Sequence, residues 1–247
     1  MKLEEEAKMR VLKIKAYQLL ANYRKPMSYN FWDTYPLPPF STVKGWFHRT
    51  VEADNYIPSS ICIQGKLNSV VYDLQTLVKF DRFRKEKQRQ VILDGFNKAL
   101  SHSPTFVASV FDIYLTIYLV SDESYLERFL ENIFKIEYPY LGRHEDLVRV
   151  DYIDFIEVEK KSFSMFEKHK VDYGIYLKAE TASKLDIEGI HYRMTFKYEL
   201  INDVRYFSKV NVVYTDNSII DSGEFWFDPE EERILEFIGD YDIRQDI

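Results

Sequence analysis

The chain has little cysteine, glycine or proline: one Cys, eight Gly and eight Pro in 247 residues. A single thiol, Cys62, excludes an intramolecular disulfide and a thiolate zinc site. Within Ile61-Cys62-Ile63 it reads as a small buried hydrophobe, in keeping with a reducing cytoplasmic setting. So few Gly and Pro argue against disorder and low complexity, and no internal repeat is evident. Long apolar runs are missing as well. The greasiest stretch, residues 107–120, is interrupted by Asp112 and alternates with Tyr114, Thr116 and Tyr118, so it is too short and polar to cross a bilayer. The first ten residues carry Glu4, Glu5 and Glu6 and no apolar core of a signal peptide, and no membrane association is expected. There is no P-loop, no G-x-G-x-x-G, no G-x-S-x-G, no H-E-x-x-H and no Cys/His metal pattern. The five histidines, His48, His102, His144, His169 and His191, are scattered without an identifiable partner. No catalytic residue, metal or cofactor is therefore expected.

Aromatic residues are plentiful, at 16% of the chain with 19 Tyr and 18 Phe. The net charge of −7 would by itself discourage a polyanion partner, but it is unevenly spread. Residues 1–144 hold 20 Lys/Arg against 16 Asp/Glu, and residues 145–247 hold 13 against 24. A basic front half and an acidic rear half suit a polyanion binder with a separate protein-facing region; chance asymmetry in an acidic protein explains the same numbers.

Apolar periodicity predicts the elements. Residues 10–20 read as a strand with Leu12, Ile14 and Ala16 on one face and Lys13, Lys15 and Tyr17 on the other. After a Pro- and aromatic-rich loop, Ser41 is placed to cap a helix over 42–54, with Val43, Trp46, Phe47 and Val51 inward and Lys44, His48, Arg49 and Glu52 outward. Strands follow at 61–64 and 69–80, then a charged stretch at 81–90, then a strand at 111–120 whose odd positions point inward. A second helix, capped by Ser121, is expected over 122–134, and a strand over 147–158. The order strand, helix, strand, strand, helix, strand is that of an α+β ferredoxin-like or RRM-like βαββαβ unit, spanning 1–158 with an inserted projection at about 66–110. Residues 159–247 read as a C-terminal antiparallel β-rich lobe, strand-like at 173–179, 190–201, 206–215 and 223–227.

Four places could carry binding chemistry. A helix start at Ser41 and Thr42, with Lys44 in the first turn, offers amides and a cation to a phosphate; a cap that only ends a helix needs no ligand. In Tyr140-Leu141-Gly142-Arg143-His144 a Gly lets a nucleic-acid backbone approach while Arg143 binds phosphate and Tyr140 stacks on a base; a helix-to-strand turn explains the same Gly. The 81–90 run, with Arg82, Arg84, Lys85, Lys87 and Arg89 beside Phe80 and Phe83, suits either a phosphate-tracking projection or a solvated loop. Finally, Lys13, Lys15 and Tyr17 share one strand face, which the rear lobe is expected to cover.

Three motifs in order resemble a known family. Residues 34–45, Thr-Tyr-Pro-Leu-Pro-Pro-Phe-Ser-Thr-Val-Lys-Gly, resemble the Pro-Pro-x-Ser-Thr-x-x-Gly signature of CRISPR-associated Cas-five proteins, of the RAMP superfamily. Tyr23-Arg24-Lys25-Pro26 resembles that family's Phe-Arg-x-Pro element, and Leu141-Gly142-Arg143-His144-Glu145-Asp146 its Leu-Gly-Arg-Ser-Glu-Asp element. The resemblance implies an RRM-like fold with a thumb and a place at the foot of a type I, most closely I-B, Cascade complex. There the chain would grip the 5′ handle of the crRNA, touch the first Cas-seven backbone subunit and a Cas-eight type large subunit, and meet target DNA only indirectly. It implies RNA contacts at Arg24, Lys25, Ser41, Thr42, Lys44, Gly45, Arg49, Tyr140, Gly142, Arg143 and His144, and thumb contacts to RNA or a neighbouring subunit from Phe80 to Arg89. The chain departs from the family at Trp46-Phe47, where small aliphatics are usual, and at His144. Type I-C relatives cleave precursor RNA at a metal-independent Tyr/Lys/His-type site, and His48 and Lys44 lie on the corresponding helix. No matching triad assembles, so no cleavage is expected. A metal-independent endoribonuclease and a purely structural assembly subunit are the alternatives.

Overall fold

The computed structural model describes residues 7–28, 31–81, 91–93 and 96–243. Its centre is β1 (Lys8–Ala21), which pairs antiparallel with β5 (Phe96–Val120) on one side and β6 (Arg149–Phe163) on the other. Because neighbouring residues of a strand point to opposite faces, β1 serves two cores. Leu12, Ile14 and Ala16 enter one, and Met9 and Val11 the other.

The first core lies under two helices. Phe40, Val43, Trp46 and Phe47 of α1 (Phe40–Thr50) and Leu126 and Phe129 of α2 (Glu123–Asn132) pack on Ile113, Leu115 and Ile117 of β5. Ile113, Leu115, Ile117 and Leu119 point inward as the alternation of β5 predicts, whereas Phe111 is only half-buried. Both helices start and stop differently from expectation. Pro39 is the N-cap of α1, its carbonyl accepting from the Thr42 and Val43 amides, so Ser41 lies inside the first turn. Glu52 adopts a left-handed φ of 51° and ends the helix earlier than 54. Asp122 precedes α2 without a side-chain cap, while Ser121 donates to the Pro58 carbonyl.

Next to β5 lies β3 (Ser60–Asp81), and their register runs unbroken from Ser60↔Val120 to Asp81↔Ala99. Over its described residues, the projection expected at about 66–110 is therefore a continuation of the two strands themselves. Short strands β2 (Phe31–Trp32) and β4 (Val91–Leu93) also pair with β5.

The rear half continues this sheet at both ends. After β7 (His169–Val171), β8 (Gly174–Lys178) joins β3. Past α3 (Ala179–Lys184), β9 (Ile190–Ile201) and β10 (Val204–Thr215) form a ribbon beyond β8, turning at Asn202 and Asp203, both with positive φ, as in a tight two-residue hairpin. Then β11 (Ser218–Ile220) pairs β7, β12 (Gly223–Asp228) pairs β6, β13 (Arg233–Leu235) pairs β12, and β14 (Ile238–Gly239) pairs β3. The order along the sheet is β13-β12-β6-β1-β5-β3-β8-β10-β9. Phe225, Trp226, Phe227 and Ile234 cover Met9, Val11, Cys62 and Tyr118 in the second core. Cys62 is fully buried, and burial pushes its thiol up to about 12. Of the Lys13, Lys15 and Tyr17 face expected to be covered, Lys13 is buried and bound to Asp228 at 2.6 Å, while Lys15 and Tyr17 are only half-buried. Among the described residues no helix is long and apolar enough to cross a membrane.

Candidate functional site

Beyond the core the β9–β10 ribbon overhangs α1, and between them opens a cleft of about 670 Å³. Ser41, Lys44, Gly45 and His48 line it from α1, and Thr195, Lys197, Tyr198, Arg205 and Phe207 from the ribbon. A recess of about 250 Å³ lined by Arg24, Lys25 and Pro26 shares Ser41 and Thr195 with it. The two form one groove. It brings together Arg24, Lys25, Ser41, Lys44 and Gly45, five of the expected residues, from two separate sequence motifs.

Their chemistry differs from expectation. Lys44 does not face water: it is 4% exposed. Its amine donates to Asp240 Oδ1 at 3.1 Å and to the Tyr56 hydroxyl, and it lies 4.0 Å from the Phe196 ring centroid. The rear half supplies Asp240 and Phe196, and without them an 11-residue helix would carry Lys44 on its polar side. Asp240 also accepts from Tyr56, from Lys197 and from the Ser59 amide. Burial alone would raise this carboxyl, but the hydrogen bonds and the Lys44 charge bring it to about 2. Burial, only partly offset by Asp240, lowers Lys44 to about 8. Since the folded chain releases that proton earlier than the unfolded chain does, between pH 8 and the ordinary lysine value of 10.5 the unfolded state binds more protons. Stability from this group therefore rises with pH across that window. Urea unfolding midpoints from pH 7 to 10.5 should show this rise against Lys44→Met, which lacks it.

The other cations of the groove keep more water. Arg24 is exposed, donates to the Ser28 carbonyl at 2.6 Å and lies 4.2 Å over Trp32. Lys25 pairs with Asp33 at 2.8 Å with both side chains part-exposed, a pair water screens well. Ser41 lines both parts of the groove, but as the Pro39 carbonyl takes the Thr42 and Val43 amides, those two are not free for an anion. Half-buried Thr42 lines neither part.

His48 is held by backbone on both sides. Its Nε2 accepts from the Ile57 amide at 2.9 Å, so the proton sits on Nδ1, which donates to the Lys44 carbonyl at 2.7 Å. Burial lowers its pKa and keeps the ring neutral.

The Tyr140–His144 loop forms a second group. Gly142 has φ +117°, and a Cβ there would stand 2.8 Å from Asp146 Oδ2, so the glycine is required by the loop itself. Buried Asp146 accepts from the Asn22 amide at 3.0 Å, the Arg143 amide at 2.8 Å and the Arg143 guanidinium at 2.8 Å. Arg143, expected to meet phosphate, is thus occupied, with its side chain 16% exposed and a further contact to Gln75. The carboxylate three residues on was visible in the sequence, but not that it is buried. Outside this knot, Tyr140 packs on His144 with centroids 4.6 Å apart and under Arg49 at 4.5 Å. These three form an accessible aromatic and cationic stack. Of the projection residues, Arg82, Phe83, Arg84, Lys85, Lys87 and Arg89 lie outside the described residues, and Phe80 continues β3 opposite Leu100.

Sequence reasoning missed Tyr56, Lys197, Arg205 and Phe207. The alternation in 190–201 was evident, yet it reads all of one face as alike. In the fold Met194 and Phe196 are buried, while Tyr198 and Leu200 on the overhang are exposed. Among the described residues, no group of three or more His, Cys, Asp or Glu is placed to hold a metal ion.

No family model matches the sequence, and no curated protein matches it. Some solved structures are similar to this chain. A chain of a CRISPR RNA-guided surveillance complex superposes with a TM-score of 0.50 at 11% identity, over 86% of this chain and 93% of that one. A CRISPR protein from Archaeoglobus fulgidus gives 0.43 at 10% identity, over 95% and 100%. A chain of a Type III-B Cmr-beta complex bound to cognate target RNA and AMPPnP gives 0.40 at 11%, over 85% of each. The strand-rich, mostly antiparallel fold with few helices is one that this chain shares with a protein of a CRISPR RNA-guided surveillance complex.

Proposed function

We propose that this chain is a non-catalytic, Cas-five type subunit of a type I, I-B-like CRISPR surveillance complex in the cytoplasm, holding the 5′ handle of the crRNA. The observation that carries the reading is the single groove over α1, into which the Arg24-Lys25-Pro26 and Ser41–Gly45 motifs converge from separate stretches of sequence. A groove edged by Arg24, Lys25, Lys197 and Arg205 and lined with aromatic rings suits a single strand, whose phosphates meet cations while its bases stack. The antiparallel order β6-β1-β5-β3, with α1 and α2 over one face, supports the ferredoxin-like RAMP reading. The partners of this reading are a Cas-seven backbone subunit, a Cas-eight type large subunit and, through the guide, target DNA. His48, with both ring nitrogens on backbone groups, is poorly placed to take a proton from a ribose hydroxyl, which favours binding without cleavage. Lys44 and Arg143 act in this reading by holding the groove and loop together, as their carboxylate partners indicate.

Co-expression with a repeat-spacer array, crosslinking and sequencing tests the proposal: crosslinks should fall at the 5′ end of the guide and on groove peptides. In the purified chain, Arg24→Ala with Lys25→Ala should make the negative slope of log K against log salt shallower by about 1.4, about 0.7 for each lost single-strand phosphate contact. Site-specific, metal-free cleavage of repeat RNA that is lost in His48→Ala would overturn the non-catalytic reading.

A further inference from the structure

Gly45 has no structural reason to be glycine. It is the sixth of the eleven residues of α1 and it is exposed. A Cβ built on it meets nothing within 4 Å, and its φ is not among the positive ones. A glycine inside a helix costs about 1 kcal/mol relative to alanine. Gly142, by contrast, is required by its own loop. Across the cleft from α1, the ribbon presents Tyr198 and Phe207, 46% and 52% exposed, as cross-strand neighbours with ring centroids 5.9 Å apart. Arg205 lies 4.8 Å over Tyr198, and Lys197 precedes it. Large rings left in water beside cations match the two parts of one nucleotide, a base with a flat apolar face and a phosphate. The cleft, about 670 Å³, falls within the range of small-ligand pockets.

We infer that the space between Gly45 and the Tyr198–Phe207 face receives one unstacked nucleobase of single-stranded RNA, the missing side chain at Gly45 letting the nucleotide lie against the helix backbone. The inference rests on the guide-RNA reading and deepens it. Tyr198 and Phe207 stack on the base, Arg205 neutralises the adjoining phosphate, and Gly45 sets how closely the nucleotide approaches.

The test uses the full chain and two labelled probes, an eight-nucleotide oligoadenylate RNA and an abasic ribose-phosphate oligomer of equal length. Tyr198→Ala with Phe207→Ala should weaken oligoadenylate binding about tenfold, as expected for one base stacked on aromatic rings, and leave the abasic probe unchanged. Both side chains are exposed, so this variant should fold. Gly45→Ala should move two readouts in opposite directions: the urea midpoint rises through helix propensity, while oligoadenylate affinity falls. A helix residue with only a structural role would move the first alone. Equal weakening of both probes by the ribbon variant, or unchanged oligoadenylate binding in Gly45→Ala, would overturn the inference and leave the RNA reading standing. A wild-type chain that binds neither probe also overturns it; if guide RNA fails to crosslink in the co-expressed complex too, the RNA reading falls with it.

Discussion

Asp146→Ala should lose about 3–5 kcal/mol of folding stability, the range for stripping one partner from a buried ion pair. Its carboxylate side chain is 2% exposed and joins three parts of the chain: the end of β1 through the Asn22 amide, the loop backbone through the Arg143 amide, and the guanidinium of Arg143. Alanine leaves both amides unpaired and leaves a mostly buried cation with only Gln75 and the exposed Glu145 as partners. The Gln18 side-chain amide donates to the Leu141 and Asp146 carbonyls at 2.9 Å each, so loosening of the loop carries into β1. The matched control is Glu145→Ala. Glu145 also pairs with Arg143, at 3.0 Å, but its side chain is 63% exposed, and such a pair contributes about 0–1 kcal/mol. Urea denaturation at pH 7 separates the two; equal losses would mean that the loop is not organised around Asp146.

The second large effect is expected at Asp228, fully buried at the end of β12. It accepts from Lys13 at 2.6 Å, from the Tyr118 hydroxyl at 2.9 Å and from the Glu230 amide at 3.0 Å. Asp228→Ala removes the buried partner of the Lys13 ammonium, leaving Glu231 at 2.6 Å and exposed Glu230 at 4.0 Å, and should again lose about 3–5 kcal/mol. Replacing both partners, with Lys13→Met and Asp228→Leu, should recover most of the loss, because the desolvation of both charges disappears with them. The pH behaviour is opposite to that of Lys44. Burial lowers the Lys13 pKa, but hydrogen bonds and charge from Asp228 and Glu231 outweigh it and the net shift is upward. Its contribution is thus complete below the ordinary value of 10.5 and is lost only as pH rises through the higher folded value. A double variant no more stable than Asp228→Ala would contradict this account.

These two sites mark what sequence reasoning reaches. Strand and helix positions were legible because alternation in β1 and β5 and the 3–4 spacing of Val43, Trp46 and Phe47 report burial directly. Which cations remain available to a ligand was not legible. Lys44, Arg143 and Lys13 are each claimed by a carboxylate, and for Lys44 and Lys13 that partner, Asp240 or Asp228, lies in the rear half, about 200 residues away. No local pattern carries such a pairing. The ribbon side of the groove was hidden for a related reason: Tyr198 and Phe196 share an alternation pattern, and only the overhang distinguishes a core ring from an exposed one.

The attachment of β8 to β3 and of β12 to β6 bears on how the chain is made. When residues up to the end of β6 have left the ribosome, the nascent sheet has two bare edges, at β3 and β6, each a template for pairing with another chain. The strands that cover them are made afterwards: at about 5–20 residues per second β8 follows within about 3 seconds and β12 within about 3–13 seconds. A ribosome stalled in that interval would display an adhesive intermediate, whereas the later strands cover β3 at Ser60, Ile61, Gln64 and Gly65 and β6 from Glu159 to Phe163.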